Sequence, residues 1–217
     1  MTPWVNPRGG SDELSRAAGG ERTSGGGAAR RADARTNRAR VLDAAEQVFG
    51  AGGKSASTEE VARLAGVGIA TVFRHFPTKA ALLQAVLLLR FERLRVQAEA
   101  LLDAADPGPA FLGFFSHLVA DAATKLAIAE ALLDADAGGD ADDVVRASTA
   151  LRQAVGVLLA RAQRAGAVRD DVELPEVYAL LVGTSRAVAH ARLDDEVTAR
   201  MLAVVFDGLA PHRSPGG

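Results

Sequence analysis

Arg74 carries a guanidinium, a group whose chemistry includes pairing with a nucleic-acid base. It follows the short run Ile69-Ala70-Thr71-Val72-Phe73 and precedes His75. A guanidinium can donate two parallel hydrogen bonds to the O6 and N7 of guanine. Ile69 and Ala70 carry only methyl surface, which can touch thymine methyls but cannot hydrogen-bond a base. Val72 and Phe76 stand four apart and give this run a buried stripe at helical spacing. Ile69, Ala70, Thr71, Phe73, Arg74 and His75 are then left for the outside or the rim. A short helix with few charges suits a recognition helix, whose first residues meet base edges while others grip phosphates.

Other side chains could do chemistry of different kinds. Phe111, Phe114, Phe115 and Leu118 cluster on one segment with His117. They either line an apolar ligand cavity or form plain core. Arg186 and His190 share a helical face and suit either an anionic ligand or a solvated surface pair. His117 and Asp121 stand four apart, with His190 far along the chain. One such pair without a third ligand does not define a metal centre, so no metal is assigned. No glycine-rich phosphate loop follows a strand, and no nucleophile elbow is present. The acidic pairs Asp142-Asp143, Asp170-Asp171 and Asp194-Asp195 fall at helix starts or in loops, where negative charge favours the helix dipole. The chain has no cysteine, which excludes disulfides, thiol catalysis and thiolate-bound zinc. No catalytic residue and no cofactor is assigned, and the chain is expected not to be an enzyme.

The elements that must position Arg74 are legible on either side of it. Ser57 and Glu60 form a Ser-x-x-Glu capping box at the start of a helix. Val61, Leu64 and Ala65 share one face of that helix. Gly66 follows where a left-handed residue is wanted, and Val67 can tuck the turn into the core. The next helix runs from about Ile69 to Phe76. Pro77 ends it, and Thr78 can cap the long helix that follows. Two short helices around a glycine-centred turn make a helix-turn-helix.

Thr58 to Val67, read as T-x-x-V-A-x-x-A-G-V, together with Thr71-Val72-Phe73-Arg74-His75-Phe76 and Lys79, resembles the TetR family of regulators. The segment from Arg38 to Phe49 is similar to that family's first helix, so the resemblance covers roughly residues 36 to 88. It implies that Thr58, Thr71, Phe73, His75 and Lys79 hold the DNA backbone, and that Ile69, Ala70 and Arg74 face bases. Two residues depart from the family pattern. Gly68 stands where Ser or Thr commonly caps the recognition helix, which weakens the cap by about a few tenths of a kcal/mol. Phe73 stands where Tyr is common and lacks a hydroxyl for a phosphate. The resemblance also implies that an N-terminal arm carrying Arg30, Arg31 and Arg35 touches DNA beside the major-groove site.

Charge supports one basic end. Residues 30–80 carry nine Lys and Arg against five acids, net +4. Residues 81–217 carry 13 against 19, net −6, while the whole chain is −2. A basic module on an acidic body is expected when one end meets DNA. Residues 1–32 are rich in glycine and arginine and are expected to form a disordered arm. Residues 33–80 are expected to form the DNA-binding domain, and residues 81–213 a helical body. The first helix is expected over roughly 34–51, with Val41, Leu42, Ala45, Val48 and Phe49 inward. Beyond it the sequence shows helical periods only, so the fold class is all-α with about nine helices, a break being possible near Thr124. No apolar run is long enough to span a bilayer and the N-terminus lacks the apolar core of a signal peptide, which fits a cytoplasmic protein with no membrane partner.

Small and apolar residues on the last two helices permit close helix–helix approach. They are Val182, Gly183, Ser185, Ala187 and Ala189 on one, and Met201, Val204, Val205 and Leu209 on the other. Read alone, they fit intramolecular core as well as a subunit contact. The family resemblance implies a four-helix homodimer interface. The resulting expectation is a dimeric repressor that binds a palindromic double-stranded operator and answers an unknown small-molecule effector. The alternative is an all-α small-molecule-binding protein or enzyme whose helix-turn-helix is only structural.

Overall fold

The computed structural model describes residues 24–135, 141–191 and 193–211. The chain divides into one unit of residues 1–36 and a second of residues 37–217. The described part of the first unit is helical, and Arg30 and Arg35 are exposed on it. The helix to which it belongs, α1 (Ser24–Gly52), begins well before the expected start near residue 34. Residues 28–32 of this stretch are Ala and Arg, strong helix formers, whereas the three glycines before them carry no helix propensity. The rest of the expected arm lies outside the described residues.

In the second unit, α1 is followed by a single 3-10 turn and by α2 (Thr58–Ala65), α3 (Ile69–His75) and α4 (Lys79–Ala100). A second 3-10 turn, Leu101–Asp103, ends α4. The body then comprises α5 (Pro107–Asp134), α6 (Ala141–Arg164), α7 (Leu174–Ala191) and α8 (Asp195–Leu209). The described residues contain no strand. α5 bends by 44° between Pro107–Ala122 and Thr124–Asp134, at the expected break, so among the described residues its two limbs make nine helical segments with the other seven α-helices. No single helix among the described residues is long and apolar enough to cross a membrane.

The bend has a visible neighbour. A Cβ built on Gly50 of α1 would fall 2.5 Å from the Thr124 methyl. Glycine at that position is what lets the end of α1 approach the kink in α5. One hydrophobic core runs from Val41, Leu42 and Phe49 of α1 through Leu82, Leu83, Val86 and Leu87 of α4 to Leu158 of α6 and Leu209 of α8. α4 packs on both α5 and α6, and α5 packs on α7. The expected inward set of α1 holds, except that Val48 is half-buried and Ala44 is buried beside it.

Among the described residues, one charged side chain is buried in this core. Arg90 of α4 is only 7% exposed, yet it pairs with Glu46 of α1 and with Asp121 of α5. Its Nε donates to Asp121 Oδ2 at 2.9 Å and its Nη2 to the Asp121 carbonyl at 3.1 Å. Arg93, one turn nearer the surface, donates to Asp43 and Glu46 at 2.8 Å each. The hydrogen bond it donates to Asp43 leads in holding the Arg93 guanidinium above its ordinary pKa. Three helices are thus tied in register by charge as well as by apolar packing.

Candidate nucleic-acid interface

The helix-turn-helix is built by local chemistry. Ser57 Oγ accepts from the Glu60 amide at 3.2 Å, and the Ser57 amide donates to Glu60 Oε2 at 3.0 Å. The reciprocal pair satisfies two orphan donors of α2. Gly66 closes α2 at φ 64°, ψ 38°, and the next amide, Val67, donates back to Ala62 O at 3.0 Å. A Cβ at Gly66 would also sit 2.6 Å from Nη2 of Arg40, whose guanidinium lies over the turn. Val61, Ala62 and Ala65 face the core, whereas Leu64, expected inward, is 47% exposed. With the apolar face of so short a helix centred on Ala62, Leu64 falls to the side.

α3 lies against this scaffold through Val72 and, just past its end, Phe76, both buried. Ile69, Ala70, Phe73 and Arg74 are exposed, and Thr71 and His75 are half-buried. Arg74 makes no hydrogen bond or ion pair among the described residues, so its fork is free for a partner outside the chain. Two large apolar side chains, Ile69 and Phe73, remain exposed beside it. Gly68 caps α3 in extended backbone with no side-chain hydrogen bond. Thr58 is half-buried at the start of α2, and its hydroxyl faces Glu59 at 3.4 Å. Arg38 stacks over Phe76 with its guanidinium carbon 5.2 Å from the ring centre. Arg38, Arg40 and Arg63 are exposed cations of the same module that the site assignment from sequence left out. The signal for them was their place in the net-positive segment.

Lys79 differs from expectation. Its ammonium turns inward, donating to the Ala56 carbonyl at 2.9 Å and lying 5.1 Å from the Phe49 ring centre. It therefore ties the start of α4 to the loop before α2, and a phosphate would have to share it with that work.

Residues 41–86 match the family described as bacterial regulatory proteins, tetR family, and residues 106–211 match the C-terminal domain described as transcriptional regulator SbtR-like. The TetR transcription regulatory protein of Mycobacterium vanbaalenii is 41% identical, with 83% of this chain and 99% of that one covered and a TM-score of 0.68. The chain belongs to the TetR family. A TetR transcriptional regulator from Streptomyces coelicolor is 32% identical over 81% of this chain and 99% of that one, with a TM-score of 0.70. No curated protein sequence matches. As a TetR-family protein, the chain is a ligand-responsive, DNA-binding transcriptional regulator.

The body of this TetR-family regulator holds a cavity of about 110 Å³ between α5, α6 and α7. Of the residues expected to line a pocket, Leu118 and Arg186 do so. Phe111 and Phe115 are instead packed in the core, edge to face at 6.4 Å, and Phe115 meets Phe206 at 5.6 Å. Phe114 and His117 line a separate open groove with Gln97 and Pro109. His190 is exposed, its Nδ1 3.1 Å from the Arg186 carbonyl, and lines neither space. The cavity is completed by residues that sequence reasoning did not single out, among them Lys125, Leu126, Leu151 and Tyr178. Lys125 carried a signal, as a lone cation in the apolar run from Phe111 to Leu133. Ser185 and Val182, expected at a subunit contact, line this cavity too.

On the last two helices the small and apolar set divides. Ser185 and Leu209 are buried within the chain and serve its own interior. Val182, Ala189, Met201 and Val205 are half-buried, while Gly183, Ala187 and Val204 are exposed, Val204 at 72%. Leu180, 42% exposed, joins Gly183 and Ala187 at helical spacing.

Proposed function

We propose that this regulator is a repressor that binds a two-fold symmetric operator as a homodimer and leaves it when an effector enters the body. The observation that carries the reading is the exposed face of α3, where an unpaired Arg74 stands beside Ile69 and Ala70. Arg74 contacts a guanine, Ile69 and Ala70 contact thymine methyls, and the backbone of the Gly68 turn comes close to the duplex. Thr58, Thr71, Phe73 and His75 meet the sugar–phosphate backbone. Lys79 acts chiefly by positioning, and Arg35, exposed on the N-terminal unit, adds sequence-independent attraction.

Dimerisation uses the exposed stripe of Leu180, Gly183 and Ala187 on α7 with Val204 on α8. Small residues at helical spacing let two helices approach closely, and a dimer presents two recognition helices to half-sites about one DNA turn apart. The effector acts by population shift. It favours a position of α4 that sets the two α3 helices at the wrong separation, and so removes simultaneous binding of both half-sites. The protein works in the cytoplasm, where its operator is.

The test is a gel-shift titration of the full chain on DNA from upstream of its own gene, at several salt concentrations. Specific binding with a steep salt dependence is expected. Equal affinity for upstream and scrambled DNA would refute sequence-specific recognition, and a shift at one-subunit stoichiometry would refute the dimer.

A further inference from the structure

Lys125 is a half-buried cation whose natural counter-ion is engaged elsewhere. It lies on the second limb of α5, among the walls of the cavity between α5, α6 and α7. Asp121, one turn earlier on the same helix, is the acid placed to neutralise it. Both carboxylate oxygens and the backbone carbonyl of Asp121 are bound to Arg90. The Lys125 ammonium makes no hydrogen bond or ion pair among the described residues, and it lies 5.9 Å from the centre of the Phe91 ring. Burial lowers its pKa, Asp121 works the other way, and Arg90 adds to the depression. A charged group so placed is costly unless something negative joins it.

The space in front of Lys125 has the complementary shape. Leu118, Leu126 and Leu151 supply apolar wall, and Arg186 stands exposed at the rim. Ser185 and Tyr178 line the same space with hydroxyls that make no hydrogen bond within the chain among the described residues. A cavity of about 150 Å³ accommodates benzene, so the 110 Å³ here suits a carboxyl group with a few carbons. A longer acid would have to extend past Arg186.

We propose that the effector is a small organic acid whose carboxylate pairs with Lys125 while its hydrocarbon part lies against Leu118, Leu126 and Leu151. The proposal rests on the reading of this body as the effector domain. It also supplies the connection to the DNA-binding module. A carboxylate at Lys125 brings negative charge within a turn of Asp121, whose hold on Arg90 is shared with Glu46 of α1. Charge bound in the body is thereby felt at the helix that carries the helix-turn-helix.

The experiment is isothermal titration of the full-length protein with propanoate and butanoate, and with the neutral counterparts propanamide and butanamide. The acids should bind at least about tenfold more tightly than their amides, as expected when a charge-assisted hydrogen bond is lost. Lys125→Met should erase that preference and Lys125→Arg should keep it, with circular dichroism confirming helical content in both. Equal binding of acid and amide, binding of neither, or a preference that survives in Lys125→Met would overturn the proposal. A gel shift without acid separates this outcome from failure of the wider reading. Operator binding with no acid binding discards the effector class alone, whereas acid binding with no operator binding discards the proposed regulator.

Discussion

Replacing Arg90 by methionine isolates the charge that joins α1, α4 and α5. Methionine keeps the length of the stem, so the apolar contacts of the side chain largely survive. What disappears is the guanidinium that holds Glu46 and Asp121. Arg90 is 7% exposed, and the side chains of Glu46 and Asp121 are 21% and 17% exposed. Breaking a pair in such surroundings costs about 3 kcal/mol, because the acids stay behind without a partner. Arg93 still reaches Glu46, so the larger share falls on Asp121. With a urea slope of about 3 kcal/mol/M for a chain of this size, the midpoint should fall by about 1 M. The informative control replaces all three groups, as Arg90→Met with Glu46→Leu and Asp121→Leu. An apolar set of similar volume should recover most of the loss. Urea denaturation followed by circular dichroism reads both variants. A drop of less than about 0.3 M for Arg90→Met, or no recovery in the triple variant, would refute the view that uncompensated buried charge is what Arg90 prevents.

Arg74→Ala should relax base preference at one position of each half-site by about 1–3 kcal/mol while leaving affinity for random DNA nearly unchanged, as read by competition against single-base operator variants. Lys79→Met should lower thermal stability by about 1–3 kcal/mol, since a charged hydrogen bond to the Ala56 carbonyl and the Phe49 contact are lost. An unchanged melting temperature would show that Lys79 does not work as a clamp. Gly68→Ser should stabilise by about a few tenths of a kcal/mol, because its backbone is already extended and a Cβ there meets nothing within 4 Å. A fall in the urea midpoint would show that the cap site is not free. Val204→Glu should convert the dimer to a monomer in sedimentation without loss of helicity, and a dimer that persists would place the subunit contact elsewhere.

The helix-turn-helix was legible because each of its features is local. A capping box, a left-handed glycine, a proline stop and a threonine cap each act over a few residues, and all of them stand where the sequence puts them. The same holds for the break in α5 and for the start of α8, where Asp194 accepts from the Val197 amide at 2.8 Å. What depended on distant partners was less legible. Leu64 reads as a core residue by spacing, yet the core meets α2 through Ala62 instead. Lys79 reads as a surface cation until Ala56 and Phe49 are brought to it. The phenylalanine cluster reads by composition as cavity wall or as plain core, and only the approach of Phe206 from α8 puts Phe115 in the core. Arg90 and Asp121 are 31 residues apart, and nothing in their neighbourhoods announces the pair.

α4 has 22 residues, which makes it a rod about 33 Å long. Arg90 grips it near the midpoint, and the helix-turn-helix immediately precedes its first residue, with Phe76, Pro77 and Thr78 the whole of the connection. A rod held at its centre behaves as a seesaw. A tilt of roughly 5° would carry each end about 1.4 Å in opposite directions. A small sideways push by α6 on the far half would therefore reach the recognition helix at similar size and with reversed sign.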